Sequence, residues 1–220
     1  MDTRQRFGIA GALLAAGLLA SALALPELPS RVVVHWGPGG AADGYGPPLF
    51  AALFLPAVAA GLLALFAVLP RVDPLGENVA AFRAAYDWLV VATVGFLVLL
   101  HLAVLAVNLG YDVAITDVAA VGFAALFWVL GGVLARAERN WFVGIRTPWT
   151  LSSDEVWDRT HALGGWLFRA TGVLALGALL VPEYAVVFFV GPVLVVAVGT
   201  GAYSYWLYRR LDPEPAVGTG

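Results

Sequence analysis

Six stretches of almost uninterrupted apolar residues, separated by short polar segments, organise this sequence: Phe7 to Leu25, Pro48 to Leu69, Trp88 to Val107, Val113 to Ala135, Ala162 to Val181 and Tyr184 to Tyr208. A helix needs roughly 20 such residues to cross the hydrocarbon core of a bilayer. The pattern therefore predicts an all-α, polytopic membrane protein with six transmembrane helices, a structured outer loop and an interfacial inner helix. Only Pro182 and Glu183 separate the last two stretches, which predicts an antiparallel helical hairpin. Gly191 and Pro192 are candidate bend points in the sixth.

The basic residues sort to one side of this pattern. Arg4 and Arg6 precede span one, Arg71 and Arg83 follow span two, Arg136, Arg139, Arg146 and Arg159 follow span four, and Arg209 and Arg210 follow span six. Arg31 stands on the other side. Short loops rich in arginine stay in the cytoplasm, so the expected topology is a multi-pass protein of the cell membrane with both termini cytoplasmic. Aromatic residues follow the same division, with Trp36, Tyr45, Tyr111 and Tyr184 at the outer boundary. Tyr86, Trp88, Trp141, Trp149, Trp157, Trp166 and Trp206 are expected at the inner one. Span one also has the form of a signal peptide, with arginines before an apolar run that ends in Ala22, Leu23 and Ala24.

Two connecting segments carry more chemistry than a tether requires. The outer one, Pro26 to Pro48, contains a β-like run from Arg31 to Trp36 followed by glycine and proline turns, so it predicts a compact cap. Its polar and aromatic candidates are His35, Trp36, Asp43 and Tyr45. His35 and Asp43 are two potential ligands where zinc takes three or four, so no metal site is predicted. The inner segment, Asn140 to Trp166, places a turn at Gly144, Ile145, Arg146, Thr147 and Pro148. A helix is expected to begin beyond it, with Ser152 and Glu155 at capping-box spacing. Trp157, His161 and Gly164 then share one helical face, while Asp154, Asp158 and Arg159 face water.

Composition agrees with the pattern and closes several function classes. With 61% hydrophobic and 12% charged residues and a mean hydropathy of +0.86, the chain lies far from soluble averages. Cysteine is absent, which excludes disulfides and thiolate chemistry. The net charge of −3, dispersed over loops, argues against direct nucleic-acid binding. Serine, histidine and aspartate occur in the inner segment without the spacing of a nucleophile elbow, so neither an enzyme nor a cofactor is predicted.

Within the membrane pattern, His101 in span three and Asp117 at the outer start of span four fall at similar depth and form a candidate intramembrane pair, read first as a structural hydrogen bond between helices and alternatively as a proton-responsive polar contact. Arg169, about two turns into span five, is expected to reach toward headgroups or to meet Glu138 or Asp87. Gly131, Gly132, Gly164 and Gly165 are candidate hinges. By organisation, residues 1–70 form a first helical pair with the outer loop, 71–211 a four-helix region, and 212–220 a disordered tail.

On these segments the sequence resembles the SdpI family of bacterial and archaeal membrane proteins. The inner stretch NWFVGIRTPWTLSSDEVWDRTHALGG resembles the family's C-terminal motif through Asn140, Gly144, Arg146, Thr147, Pro148, Trp149, Thr150, Leu151, Trp157, Thr160, His161 and Gly164. The outer stretch LPSRVVVHWGPGGAADGYG resembles an uncharacterised N-terminal domain that often accompanies it, with Gly37 and Pro38 where that pattern has more polar residues. The resemblance implies immunity to a secreted, membrane-active killing peptide and capture of a cytoplasmic transcriptional regulator. The expected partners are therefore the lipid bilayer, a toxin peptide at the outer loop, and a regulator at Asn140, Gly144, Arg146, Thr147, Pro148, Trp149, Thr150, Trp157, Thr160 and His161. The rival reading is a small transporter or a membrane-embedded metal-dependent enzyme that uses His101, Asp117 and His35.

Overall fold

The computed structural model describes residues 1–211, so the predicted tail lies outside the described residues. Six of its helices are long and apolar enough to cross a membrane, and the protein is an all-α, multi-pass membrane protein. The helices are α1 (Thr3–Ala24), α2 (Pro48–Val72), the short α3 (Gly76–Ala81), α4 (Arg83–Asn108), α5 (Ile115–Leu134), the short α6 (Pro148–Ser152), α7 (Asp154–Ala175) and α8 (Ala185–Leu211). The arginine-rich end is here called inner and the opposite end outer.

Hydropathy placed every span, but helices extend past the apolar stretches where polar residues can finish them. At the start of α1, Asp2 and Gln5 form a reciprocal capping box. Beyond α7 the chain tightens into 3-10 turns at Leu176–Leu179 and Pro182–Tyr184 before α8 begins.

The prolines of α2 determine much of the packing. Pro56 and Pro70 lie inside the helix, and each removes the N–H that would have bonded the carbonyl four residues earlier. Those carbonyls belong to Ala52 and Phe66. Ser21 on α1 donates its hydroxyl to Ala52 at 2.7 Å, and Tyr86 on α4 donates its own to Phe66 at 2.6 Å. A bare carbonyl in hydrocarbon is expensive, so these two bonds set the depth at which α1 and α4 sit against α2. The ring of Tyr86 also meets Phe66 edge to face at 5.9 Å.

A second packing device joins α5 to α7. A Cβ on Gly131 would lie 2.5 Å from the Gly165 carbonyl, and one on Gly165 would lie 2.8 Å from the Gly131 carbonyl. One on Gly172 would meet the Ala124 carbonyl at 2.8 Å. The backbones therefore touch at small residues two turns apart, as helices do where lipid offers no hydrophobic drive and close approach must supply the attraction. These glycines form a seam, which corrects the hinge expectation for Gly131 and Gly165; both helices pass through them unbroken.

At the inner end, Asp87 is fully buried between Arg83 (2.7 Å) and Arg6 (3.5 Å), joining α1 to α4. Tyr86 and Trp157, expected among headgroups, are instead buried completely, whereas Trp88, Trp141, Trp166 and Trp206 remain exposed.

Candidate functional site

Two structured segments stand outside the bundle, one at each end. The inner one is a knot built from residues 137–161. Asn140 organises its first turn: Nδ2 donates to the carbonyls of Glu138 (2.8 Å) and Val143 (2.9 Å), while Oδ1 accepts from the N–H groups of Phe142 (3.0 Å) and Val143 (2.6 Å). Both ends of a buried amide are thus satisfied within four residues. Gly144 follows with φ of +129°, a region that glycine alone enters cheaply. Its missing side chain makes room for the His161 ring, whose Nε2 a Cβ would strike.

His161 closes the knot. The Ile145 N–H donates to Nε2 at 2.9 Å, so that nitrogen is an acceptor, and Nδ1 must carry the proton that it directs at the Trp157 carbonyl, 2.8 Å away. The imidazole is thereby held as one neutral tautomer. It stacks on Trp157 with ring centroids 3.8 Å apart, and Trp157 Nε1 donates to the Ala137 carbonyl at 2.6 Å. Thr147 caps α6: its hydroxyl accepts from the Thr150 N–H (3.1 Å), and Thr150 Oγ1 accepts from the Thr147 N–H (2.9 Å) while bonding the Ile145 carbonyl (2.8 Å). Thr147 also reaches Ser204 on α8 at 3.1 Å. The preceding inner loop holds the knot from the other side, where Asp73 accepts from the Trp141 N–H (3.0 Å) and Asn78 donates to the Arg139 carbonyl (2.6 Å).

This geometry divides the predicted partner-binding residues. Asn140, Thr150, Trp157, Thr160 and His161 are buried and shape the knot from within, which corrects the expectation that they offer contact surface. Gly144 is a backbone requirement. Arg146 and Pro148 are exposed, Thr147 and Trp149 half-buried, the latter against Tyr205 at 4.9 Å. Exposed Trp141 and Phe142 extend the same surface. The predicted cap also shifts by one residue: Ser153, not Ser152, receives the Val156 N–H and starts α7, while Ser152 bonds back to Trp149.

The outer cap is a two-stranded antiparallel hairpin. The expected strand appears as β1 (Val32–Trp36), and it pairs with β2 (Ala42–Gly46). Gly44 lies so close to His35 that a Cβ there would come within 2.6 Å of the histidine's own. Asn108, the last residue of α4, fixes the cap in place. Its side-chain amide imitates a strand, accepting from the Val33 N–H at 2.7 Å and donating to the Val33 carbonyl at 2.9 Å. His35 and Asp43 bond each other at 2.5 Å on the exposed face, and Tyr45 lies under Arg31. Among the described residues no three histidines or carboxylates gather as metal ligands. Beneath the hairpin an apolar cleft of about 280 Å³ opens between Val34, Trp36, Phe123 and Phe189.

His101 and Asp117 are not a pair. His101 is buried, and its Nε2 lies 2.8 Å from Ser21 Oγ; because the Ser21 hydroxyl proton goes to Ala52, the histidine is the donor. Asp117 is exposed in the first turn of α5, where a carboxylate suits the positive helix end. Arg169 meets neither Glu138 nor Asp87 and instead lies over the Trp128 ring. Sequence reading missed Ser21 and Asn108. A proline four residues beyond a carbonyl was the available signal for the first; nothing local announces the second.

Fold and site together define a class: a six-helix membrane protein with a small β cap clasped at one end and a self-bonded polar knot at the other. Residues 136–204, from the knot to the Ser204 that Thr147 touches, match the SdpI/YfhL protein family, and residues 12–60 match a domain of unknown function, DUF1648. Along the chain the match to the domain of unknown function precedes the match to the SdpI/YfhL protein family. The Immunity protein SdpI of Bacillus subtilis (strain 168) is 25% identical over 195 residues, covering 88% of this chain and 91% of that protein. No solved structure matches it.

Proposed function

We propose that this protein protects the membrane that contains it against a secreted, membrane-active peptide, acting by binding rather than by catalysis. The observation that carries this reading is the relationship over nearly the whole of both chains to a protein named for immunity. The geometry supports it through the cleft beneath the hairpin, whose walls of Val34, Trp36, Phe123 and Phe189 suit an apolar segment entering from the outer leaflet. The exposed inner surface of Trp141, Phe142, Arg146 and Pro148 then serves a cytoplasmic regulator, with aromatic and arginine side chains of the kind that anchor interfaces. Both assignments take the arginine-rich end to be cytoplasmic.

Deleting the gene and challenging cells with secreted peptide fractions tests the first role. Sensitivity should rise and return to normal with the intact protein, but not with a Trp36→Ala, Phe123→Ala variant; unchanged sensitivity on deletion rejects it. Because cysteine is absent, single reporters are clean: Asp158→Cys should resist impermeant labelling in intact cells while Asp43→Cys reacts. The reverse result inverts the topology.

A further inference from the structure

The inner half holds two guanidinium groups that the knot leaves aside. Arg136 Nη1 and Arg169 Nη2 each lie 3.7 Å from the point that a Cβ on Gly132 would occupy, so they are no further apart than twice that distance. Among the described residues neither lies within ion-pair distance of a carboxylate. Arg136 gives one donor to the Gly132 carbonyl at 2.8 Å. Arg169 lies over Trp128, and its Nε is buried with no acceptor. Two like charges repel at this range, and a buried unpaired donor is costly. An anion placed between them relieves both.

Apolar grooves run away from this point on either side. One, of about 630 Å³, passes Trp88 and Val129 and ends at Arg136. The other, of about 560 Å³, is lined by Trp128, Trp166 and Val173, with Arg169 set between the last two along α7. Two positive charges, one in each of two neighbouring apolar grooves, have the charge and shape complementary to one kind of occupant. We propose that Arg136 and Arg169 hold the phosphate of an anionic glycerophospholipid, with one acyl chain in each groove. A zwitterionic lipid brings its own cation to the same place and gains less. A soluble phosphate leaves the grooves empty.

Lipid retention on the purified full chain, read by native mass spectrometry, tests this. Phosphatidylglycerol should be retained over phosphatidylcholine, and R136Q and R169Q should each lower that retention about fivefold, the effect of one arginine near an anionic headgroup. R159Q, whose arginine already pairs with Glu155 on the surface, should change nothing. Glycerophosphoglycerol, the headgroup without chains, should fail to displace the lipid. Equal retention of the two lipids, or full retention of phosphatidylglycerol by R136Q, overturns the proposal, and displacement by the headgroup alone reassigns the site to a soluble phosphate. Arg136 is exposed at the end of α5, so R136Q decides the matter even if R169Q does not fold.

Discussion

The inner knot and the outer cap both leave the bundle, yet they are held in opposite ways. The knot closes on itself: Asn140, Thr150, Trp157 and His161 are buried and bonded to backbone within the same 25 or so residues, a density of satisfied polar groups that fixes one conformation. The cap has a ladder with irregular register and one strong clasp, Asn108. A polar motif that looks like a binding surface in sequence is therefore mostly scaffold at the inner end, and the surface it supports is made of its least buried members. At the outer end the same kinds of residue, His35 and Asp43, stay exposed.

Three substitutions would break or sharpen this contrast. The largest effect is expected for Gly144→Ala, which combines a forbidden backbone region with a Cβ driven into His161. We expect about 3 kcal/mol of destabilisation, seen as a lower unfolding temperature in detergent together with new proteolytic cleavage between residues 141 and 150. Unaltered stability would mean that the knot is looser than its hydrogen bonds indicate. Next is Asn108→Ala, which removes the two bonds to the cap, worth about 1 kcal/mol each, along with one to the Val104 carbonyl within α4. Here the loss should be local: faster hydrogen exchange at Val33 with little change in global unfolding, whereas loss of the whole fold would make the cap as integral as the knot. The smallest is Ser21→Ala, about 1 kcal/mol. In a Pro56→Ala background, where Ala52 regains a helical N–H, the same change should cost less, and strict additivity in that double-mutant cycle would refute the proline account.

Much of the fold was legible because lipid imposes a length on apolar segments, so all six spans and the short turn before α8 could be read from hydropathy. The β1 strand was visible in its valines. Its partner was not, since Ala42, Asp43, Gly44 and Gly46 have poor strand propensity and pair only because Gly44 admits the crowded approach of His35. Paired glycines read as hinges because sequence cannot distinguish a flexible joint from a tight contact; the decisive fact is which helix lies opposite. His101 was matched to Asp117 on depth and charge. The serine it meets sits among alanines and leucines on α1, where only the proline on a third helix gives it a purpose. In the knot, the motif residues were identifiable as a group, but which face inward depends on the turn at Gly144, and that turn depends on His161, 17 residues away.

The two prolines of α2 also constrain how the protein is made. Ser21 leaves the ribosome before Pro56, so the first exposed carbonyl finds its partner already waiting in α1. Tyr86 emerges only after Pro70, so the second stays bare until α4 arrives. The two bonds that place α2 therefore form in sequence, the one from α1 being available a whole helix earlier than the one from α4.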